Sequence, residues 1–270
     1  MINRRFQHNG IVYEFKWAKR QDVISKMPSE IGTRLDDFFQ MIYQNKIPHD
    51  LFNDNKITRC SSFRIKGLKR GVQPQISKEF IEKKLIRHYK WTSEMKNSLD
   101  SYVHKILASA QNLFSEYAET DILNFKPGHD EILTNILLTI EEALSIETPV
   151  WTRKQQRITD FLPQDKNSFN FSYRRSLTGH IDLILYDFAN NNLIIADYKP
   201  EGHFLRSLPQ VATYGLLMKR ILNIPNIKCL SFSKDEAWLY DPLILQEQIE
   251  ECILLHGNPK LNWRKIVHLL

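Results

Sequence analysis

The sequence predicts a mixed α/β (α+β) fold in which a central mixed β-sheet is flanked by helices. Two changes in the spacing of apolar residues support this prediction. Up to about residue 144 the apolar residues recur mainly at helical intervals, whereas later short runs rich in Ile, Val, Tyr and Phe alternate with turn residues. A further helical stretch at 208–222 separates these runs from another strand at 227–232, as expected for helices packed on a sheet.

The first 125 residues predict a mainly helical N-terminal extension that opens with a small hairpin. Asn9-Gly10 is a two-residue hairpin signal, and Ser29 can cap a helix that continues to about residue 44. Helical spacing then extends from Ser77 to about residue 117. The hairpin and first helix either pack on the rest of the chain or mediate self-association, and the sequence indicates no oligomeric state.

Residues 126–270 predict the sheet-containing core. Pro127-Gly128 ends the preceding pattern, and a helix should span 130–144 because its apolar residues share one face. The remaining elements are predicted as strands at 146–152, 168–173, 178–186, 193–198, 227–232 and 238–240, and as helices at 208–222 and 242–256.

Composition indicates a soluble globular protein. The chain has 270 residues, of which 42% are hydrophobic and 25% charged. No apolar run reaches the ~20 residues of a membrane span, and the first residues lack the apolar region of a signal peptide. Three widely separated cysteines suit reduced thiols and exclude a disulfide scaffold. We therefore expect a cytoplasmic protein without membrane contacts.

Positive charge is concentrated between residues 56 and 91. The formal net charge is +6, yet this stretch holds far more Lys and Arg than Asp and Glu. Such a cluster attracts a polyanion through counterion release, and its aromatic residues could stack on bases. We predict that it lines a DNA path and that Lys66, Lys69 and Arg70 bind substrate. The alternatives are a solvated surface and, for Phe63 and Trp91, ordinary places in the core.

Two acidic residues interrupt apolar strands on either side of a turn-forming loop. Pairing that is symmetric about loop 187–192 places Asp182 opposite Asp197, where like charges repel. A divalent cation with oxygen ligands would offset that repulsion. Lys199 lies two residues after Asp197 and therefore points to the same face. The group predicts a metal-dependent phosphodiester hydrolysis site, and the alternative is an interstrand salt bridge.

Three spaced motifs resemble the RecB-like branch of the PD-(D/E)XK nuclease superfamily. They are Gly179-x-x-Asp182, Asp197-Tyr198-Lys199 and Gln210-x-x-x-Tyr214. The resemblance covers roughly residues 128–240, and the first 125 residues carry no recognised motif. It implies a restriction-endonuclease-like core with the order αβββαβ. It also implies a nuclease, since the branch includes exonucleases of DNA recombination and of genome maintenance.

The resemblance implies roles for individual residues. Asp182 and Asp197 would bind Mg²⁺ or Mn²⁺ together with the backbone carbonyl of Tyr198, and Lys199 would be the catalytic lysine. Gln210 and Tyr214 would brace the site or contact the DNA backbone.

The family also carries an acid on the helix before the first strand of the core. We prefer Glu141, because it shares a helix face with Leu137 and Leu144. Its neighbour Glu142 is the alternative, and Glu147 is a third candidate.

Histidines near the motifs have several possible roles. Some family members place a metal-binding histidine on the first helix, but His129 lies about three turns from Glu141 and is expected to be a surface or capping residue. His180 lies on the Asp182 face, where it either packs or approaches the metal or a phosphate. His203 is a further candidate for substrate contact. Some members hold an iron–sulfur cluster with four cysteines, and we expect none here because the chain has three.

Taken together, the residues and the resemblance predict a Mg²⁺- or Mn²⁺-dependent deoxyribonuclease, favouring exonuclease action on single-stranded DNA or DNA ends. One alternative is a non-catalytic nucleic-acid-binding or scaffold protein that keeps the nuclease fold. The other is a structure-specific endonuclease.

Overall fold

A computed structural model of the chain describes residues 1–64, 74–92, 101–119, 126–153, 176–200, 206–247, 249 and 267–269. The strands are β1 Ile2–His8, β2 Ile11–Trp17, β3 Thr58–Arg59, β4 Pro74–Ile76, β5 Ile86–Lys90, β6 Ala143–Thr152, β7 Leu177–Asp187, β8 Asn192–Tyr198, β9 Ile227–Phe232, β10 Glu236–Tyr240 and β11 Val267–Leu269. The helices are α1 Gln21–Ser25, α2 Ser29–Tyr43, α3 His49–Asn53, α4 Lys78–Glu82, α5 Ser101–Ala118, α6 His129–Thr139 and α7 Leu208–Leu222.

Nine of these strands form one mixed sheet. Eight follow the order β1-β2-β6-β7-β8-β9-β10-β5, and β3 pairs with β7 beside this path. The β8–β9 and β3–β7 pairs are parallel, and the other pairs of this sheet are antiparallel. Strands β4 and β11 form a separate antiparallel pair.

Helices cover both faces of the large sheet. One apolar cluster joins β1 and β2 with α2 and α7 through residues such as Phe15, Phe39 and Leu217. The other joins the opposite face with α5 and α6 through residues such as Ile106 and Ile136. A sheet buried on both faces explains the long apolar runs of β7 and β8. The predicted mixed sheet flanked by helices is confirmed.

The N-terminal hairpin forms where it was predicted. Asn9 and Gly10 have φ values of 51° and 77°, as a two-residue hairpin turn requires. Helix α2 also matches its prediction to within one residue.

Helical spacing was predicted from Ser77 to about residue 117, and this prediction is wrong for the middle of the stretch. The stretch contains α4, then β5, then α5, because Ile86–Lys90 pairs antiparallel with β10 at the end of the sheet. Strands β1, β2 and β5 thus lie in the same sheet as β6–β10.

From residue 129 the described elements follow the order α6, β6, β7, β8, α7 and β9, that is, a helix, three strands, a helix and a strand. Helix α7 and strand β9 have the predicted bounds. Helix α6 ends at Thr139 rather than at residue 144, because Ala143 already belongs to β6. The guanidinium of Arg20 donates to carbonyls in the last turn of α6 and just beyond it, which caps the helix there.

Some predicted elements lie wholly or partly outside the described residues. These are the strand at 168–173 and most of the helix at 242–256, of which Pro242–Leu245 forms a short 3₁₀ turn. None of the described helices is long and apolar enough to cross a bilayer.

Candidate active site

The site lies at a gap along one edge of β7. Strand β6 occupies the other edge of β7 from Leu177 to Leu185. The gap edge pairs with β3 at Leu177 and Thr178, and with β8 from Leu183 to Asp187. Between these two partners, residues 179–182 have no paired strand on this edge in the described chain. The first and second motifs therefore meet where the sheet opens.

The predicted register of β7 and β8 is confirmed. Their pairs are symmetric about the loop, from Asp187 with Asn192 to Leu183 with Ala196. Asp182 and Asp197 follow directly after the last pair, where β8 leaves β7. Strand β8 continues beside β9 instead, with Asp197 next to Ser231.

Asp197 is fully buried and held by donors from its own strand end and from α7. Its Oδ1 accepts from Lys199 Nζ at 2.9 Å and from Gln210 Nε2 at 3.4 Å, and its Oδ2 accepts from Ser207 Oγ at 3.1 Å. Burial and the nearby Asp182 charge raise the pKa of Asp197 to about 7, although Lys199 opposes the shift. The carboxylate is thus fixed in position, and burial together with the Asp182 charge makes its ionised form unfavourable.

Asp182 bridges the gap between the separating strands. Its Oδ2 accepts from the backbone N–H of Tyr198 at 2.9 Å and from His129 Nε2 at 3.1 Å. Burial raises the pKa of Asp182, but His129 and Lys199 outweigh it and hold the pKa below its usual value. Its Oδ1 has no hydrogen-bond donor within the described chain, so this oxygen is available to a ligand.

His129 belongs to this site, contrary to the expectation of a surface or capping position. It is the first residue of α6, and the helix directs its ring toward β7. Burial lowers the pKa of His129, but the hydrogen bond and charge of Asp182 raise it above its ordinary value. Its Nδ1 lies 3.9 Å from a Glu147 carboxylate oxygen and 3.6 Å from an Asp130 carboxylate oxygen.

Glu147 is the acid that the structure brings to the site. It sits within β6 with a φ of 50°, a left-handed conformation that non-glycine residues seldom adopt. Burial raises the pKa of Glu147 to about 8, with a further contribution from the Asp182 charge. Backbone strain combined with an unfavourable buried charge is typical of functional positions.

Glu141 and Glu142 do not lie on the first helix, so the prediction of a helix acid facing the sheet is wrong for both. They follow the end of α6, in the turn before β6. Glu141 is about half exposed and forms an ion pair with Lys26, whereas Glu142 pairs with Lys105. The apolar Leu144 that suggested their helix face belongs to β6.

Lys199 is a positively charged and partly exposed side chain of the site. Burial lowers the pKa of Lys199, but the carboxylates of Asp197 and Asp182 raise it above its ordinary value, so the amine stays protonated. Its side chain is 30% exposed, so the site is accessible to solvent. The tips of Asp182, Asp197 and Lys199 therefore lie together at an opening.

Gln210 and Tyr214 brace Asp197 from the buried side. Both are nearly inaccessible, and Gln210 Nε2 donates to Asp197 and to the Tyr214 hydroxyl at 3.2 Å. Gly179 makes room for Tyr214, since a Cβ at this position would lie 2.4 Å from the Tyr214 ring. The first and third motifs are thus coupled by direct packing.

His180 packs within a histidine chain rather than near Asp182. Its Nε2 lies 3.0 Å from His8 Nδ1, and His8 Nε2 lies 3.2 Å from His49 Nδ1. The ring of His180 also stacks on Tyr13 with a centroid distance of 3.6 Å. Its role in this structure is packing, one of the two alternatives that the sequence left open.

Six further residues were considered as substrate contacts or as places in the core. Lys66, Lys69, Arg70 and His203 lie outside the described residues. Phe63 is fully buried and Trp91 packs against an apolar cluster, so both take places in the core.

Ligands for a cation are present around the opening. Within the described chain, one group of three metal-ligand side chains has its ligand atoms within 4.8 Å of one another, namely His129, Asp130 and Glu147. Asp182 is not part of that group but is hydrogen-bonded to His129. Carboxylate oxygens with one imidazole suit Mg²⁺ or Mn²⁺. A divalent cation would oppose the rise that burial and the Asp182 charge cause in the pKa values of Glu147 and Asp197.

Sequence reasoning gave three of these residues too little weight. The signal for His129 was its place directly after Pro127-Gly128, where the helix begins. Glu147 was only the third candidate for the acid, because neither its left-handed φ nor its approach to His129 has a local signal in the sequence. Ser207 could have been noticed as a small polar residue just before a helix, the usual N-cap position.

Comparisons of the chain with protein-family models, with curated proteins and with solved structures found no match.

Proposed function

We propose that this chain is a Mg²⁺- or Mn²⁺-dependent nuclease that hydrolyses phosphodiester bonds in DNA. The observation that carries the proposal is the convergence of Asp182, Asp197 and Lys199 at the gap beside β7. The order of helix, three strands, helix and strand around the gap supports a restriction-endonuclease-like core. The resemblance of the three motifs to RecB-like nucleases supports the same conclusion.

Asp182, Glu147 and His129 are the residues that we propose as metal ligands. His129 on α6 links the other two, since its Nε2 lies 3.1 Å from Asp182 Oδ2 and its Nδ1 lies 3.9 Å from a Glu147 carboxylate oxygen. Asp197 would join them by exchanging its lysine hydrogen bond for a metal contact. When bound, the cation polarises the phosphodiester and lowers the pKa of a coordinated water.

Lys199 acts as a charged hydrogen-bond donor in this proposal. Its raised pKa favours the ammonium form, which stabilises negative charge on the phosphorus-bound oxygens in the transition state. Gln210 and Ser207 keep Asp197 in place, and Tyr214 supports Gln210. Their burial favours this bracing role over a contact with the DNA backbone.

The resemblance favours single-stranded DNA or DNA ends as substrate. A panel of end-labelled single-stranded, duplex, flap and circular DNA, incubated with Mg²⁺, Mn²⁺ or EDTA, tests activity and polarity together. Exonuclease action leaves circular DNA intact, whereas cleavage of the circle, or release of the flap as one fragment, indicates a structure-specific endonuclease.

Two variants connect the activity to the site. Lys199→Ala should lower the cleavage rate at least about 100-fold while DNA binding persists, because it removes a transition-state donor. Glu141→Gln is the matched control, since that acid is exposed and paired with Lys26, and it should cut like wild type. A wild-type protein that cuts no substrate with either metal, or a Lys199→Ala variant that cuts at the wild-type rate, refutes the proposal. The first of these outcomes, with DNA binding intact, would favour the non-catalytic alternative.

A further inference from the structure

The segment 58–64 forms one wall of the gap. Strand β3 pairs in parallel with β7, which sets Arg59 beside Thr178, one residue before Gly179. The 3₁₀ turn Cys60–Ser62 then packs on α7 and β7. Cys60 and Phe63 are fully buried and anchor the segment, so its position relative to the site is fixed by the core.

Two arginines flank these buried anchors. Arg59 is half-buried and Arg64 is exposed. Arg64 Nε donates to the Ser61 carbonyl at 2.8 Å, which holds its guanidinium on the turn. Neither arginine has an acidic partner in the part of the chain that the structure describes. A cationic pair without carboxylates is unusual beside a site that contains several.

Both arginines lie at the gap because of their place in the fold. Arg59 is the last residue of β3 and pairs beside Thr178, where the unpaired edge of β7 begins. Arg64 directly follows the buried Phe63 at the other end of the same anchored segment.

We propose that Arg59 and Arg64 bind backbone phosphates of the substrate strand next to the phosphodiester at the metal site. The identity of the polyanion as DNA rests on the proposed nuclease function. Guanidinium groups suit this task, because they bind phosphate oxygens bidentately and remain charged. Contacts of this kind set register and affinity without reading base sequence. The DNA strand then crosses β7 between β3 and the end of β8.

The test measures binding without cleavage. A fluorescein-labelled single-stranded oligonucleotide is titrated in EDTA at several salt concentrations, with fluorescence anisotropy as the readout. The double variant Arg59→Gln/Arg64→Gln should bind at least about tenfold more weakly, and its salt slope should fall by about 1.4, or 0.7 for each lost phosphate contact.

Arg5→Gln is the matched control for a lost positive charge. Arg5 is 77% exposed on the hairpin and pairs with Glu14, so its removal should leave the salt slope unchanged. The proposal is overturned if the double variant keeps the wild-type affinity and salt slope. It is also overturned if Arg5→Gln, which removes one charge, lowers the affinity and the salt slope by half as much as the double variant, which removes two. The proposal would also be overturned if polyglutamate bound as tightly as the oligonucleotide and its binding were weakened equally by the loss of Arg59 and Arg64.

A second readout separates this inference from the nuclease proposal. Stabilisation of the protein by Mn²⁺ should be the same in the double variant as in wild type, because the arginines are not metal ligands. If Mn²⁺ stabilises neither protein while the salt slope still falls as expected, the phosphate-binding inference stands and the metal site fails.

Discussion

His8 is a buried histidine that makes the fold sensitive to acid. Its ring has no exposed surface, stacks on Phe52 and is hydrogen-bonded to His180 and His49. Burial lowers the pKa of His8 to about 4, and the charges of His49 and Arg59 contribute. The folded protein therefore holds this imidazole neutral under conditions in which the unfolded chain protonates it.

We predict that acid weakens folding through His8. Between pH 6.5 and about 4 the unfolded chain binds a proton that the folded protein does not, so stability is complete above pH 6.5 and decreases as the pH falls. The shift corresponds to at most about 3 kcal/mol of unfolding free energy. Urea unfolding in EDTA at several pH values measures it.

The variant His8→Phe serves as the comparison for this prediction. It should be less stable than wild type at pH 7, because it loses two hydrogen bonds, but its stability should depend less on pH between 7 and 5. Parallel pH profiles for the two proteins would show that His8 does not cause this acid sensitivity.

At the scale of elements, the contact between β7 and α7 determines the shape of the site. Gly179 on β7 faces the Tyr214 ring on α7, and the Tyr214 hydroxyl is hydrogen-bonded to Gln210, which binds Asp197. The motif glycine is therefore explained by packing, since no larger residue fits without moving the bracing residues.

Gly179→Ala should disturb both stability and catalysis. The added methyl overlaps Tyr214 and should cost about 1–3 kcal/mol of unfolding free energy, as overpacking does. DNA cleavage should fall as well, because displacement of Tyr214 also displaces Gln210, which is hydrogen-bonded to Asp197. Chemical denaturation and a cleavage assay measure the two effects.

Gly128→Ala is the control for that substitution. A methyl there would meet only the Glu131 carboxylate, at an ordinary contact distance of 3.5 Å, and the backbone has a φ of −70°. This variant should be close to wild type. Wild-type stability and activity in Gly179→Ala would contradict the packing account.

Elements defined by local pattern could be predicted from the sequence. The register of β7 and β8 follows from the short loop that joins them symmetrically. Helix α7 follows from apolar spacing that stops before Asn223, and this residue is a left-handed C-cap with a φ of 51°. The end of α6 could not be predicted, because Leu144 continues the helical spacing although it lies within β6, where the pairing with β7 shifts register. Pairing with a distant strand overrides local periodicity at such boundaries.

At the scale of the whole molecule, the sheet assembles residues that are remote in sequence. The motifs around Asp182 and Asp197 could be found because they lie on neighbouring elements. Strand β3 with Arg59, and Arg64 just after it, come about 120 residues earlier and reach the same gap only through the parallel pairing of β3 with β7. Glu147 likewise depends on the pairing of β6 with β7. Long-range pairings of this kind leave no local signal in one sequence.

The central claim is that these elements build one divalent-cation site, and Mn²⁺ titration followed by electron paramagnetic resonance tests it most directly. Wild type and Glu141→Gln should bind Mn²⁺ alike, whereas Asp182→Asn and Glu147→Gln should each bind it at least about tenfold more weakly. Wild-type protein that binds no Mn²⁺, or an Asp182→Asn variant that binds it as tightly as wild type, would contradict the account.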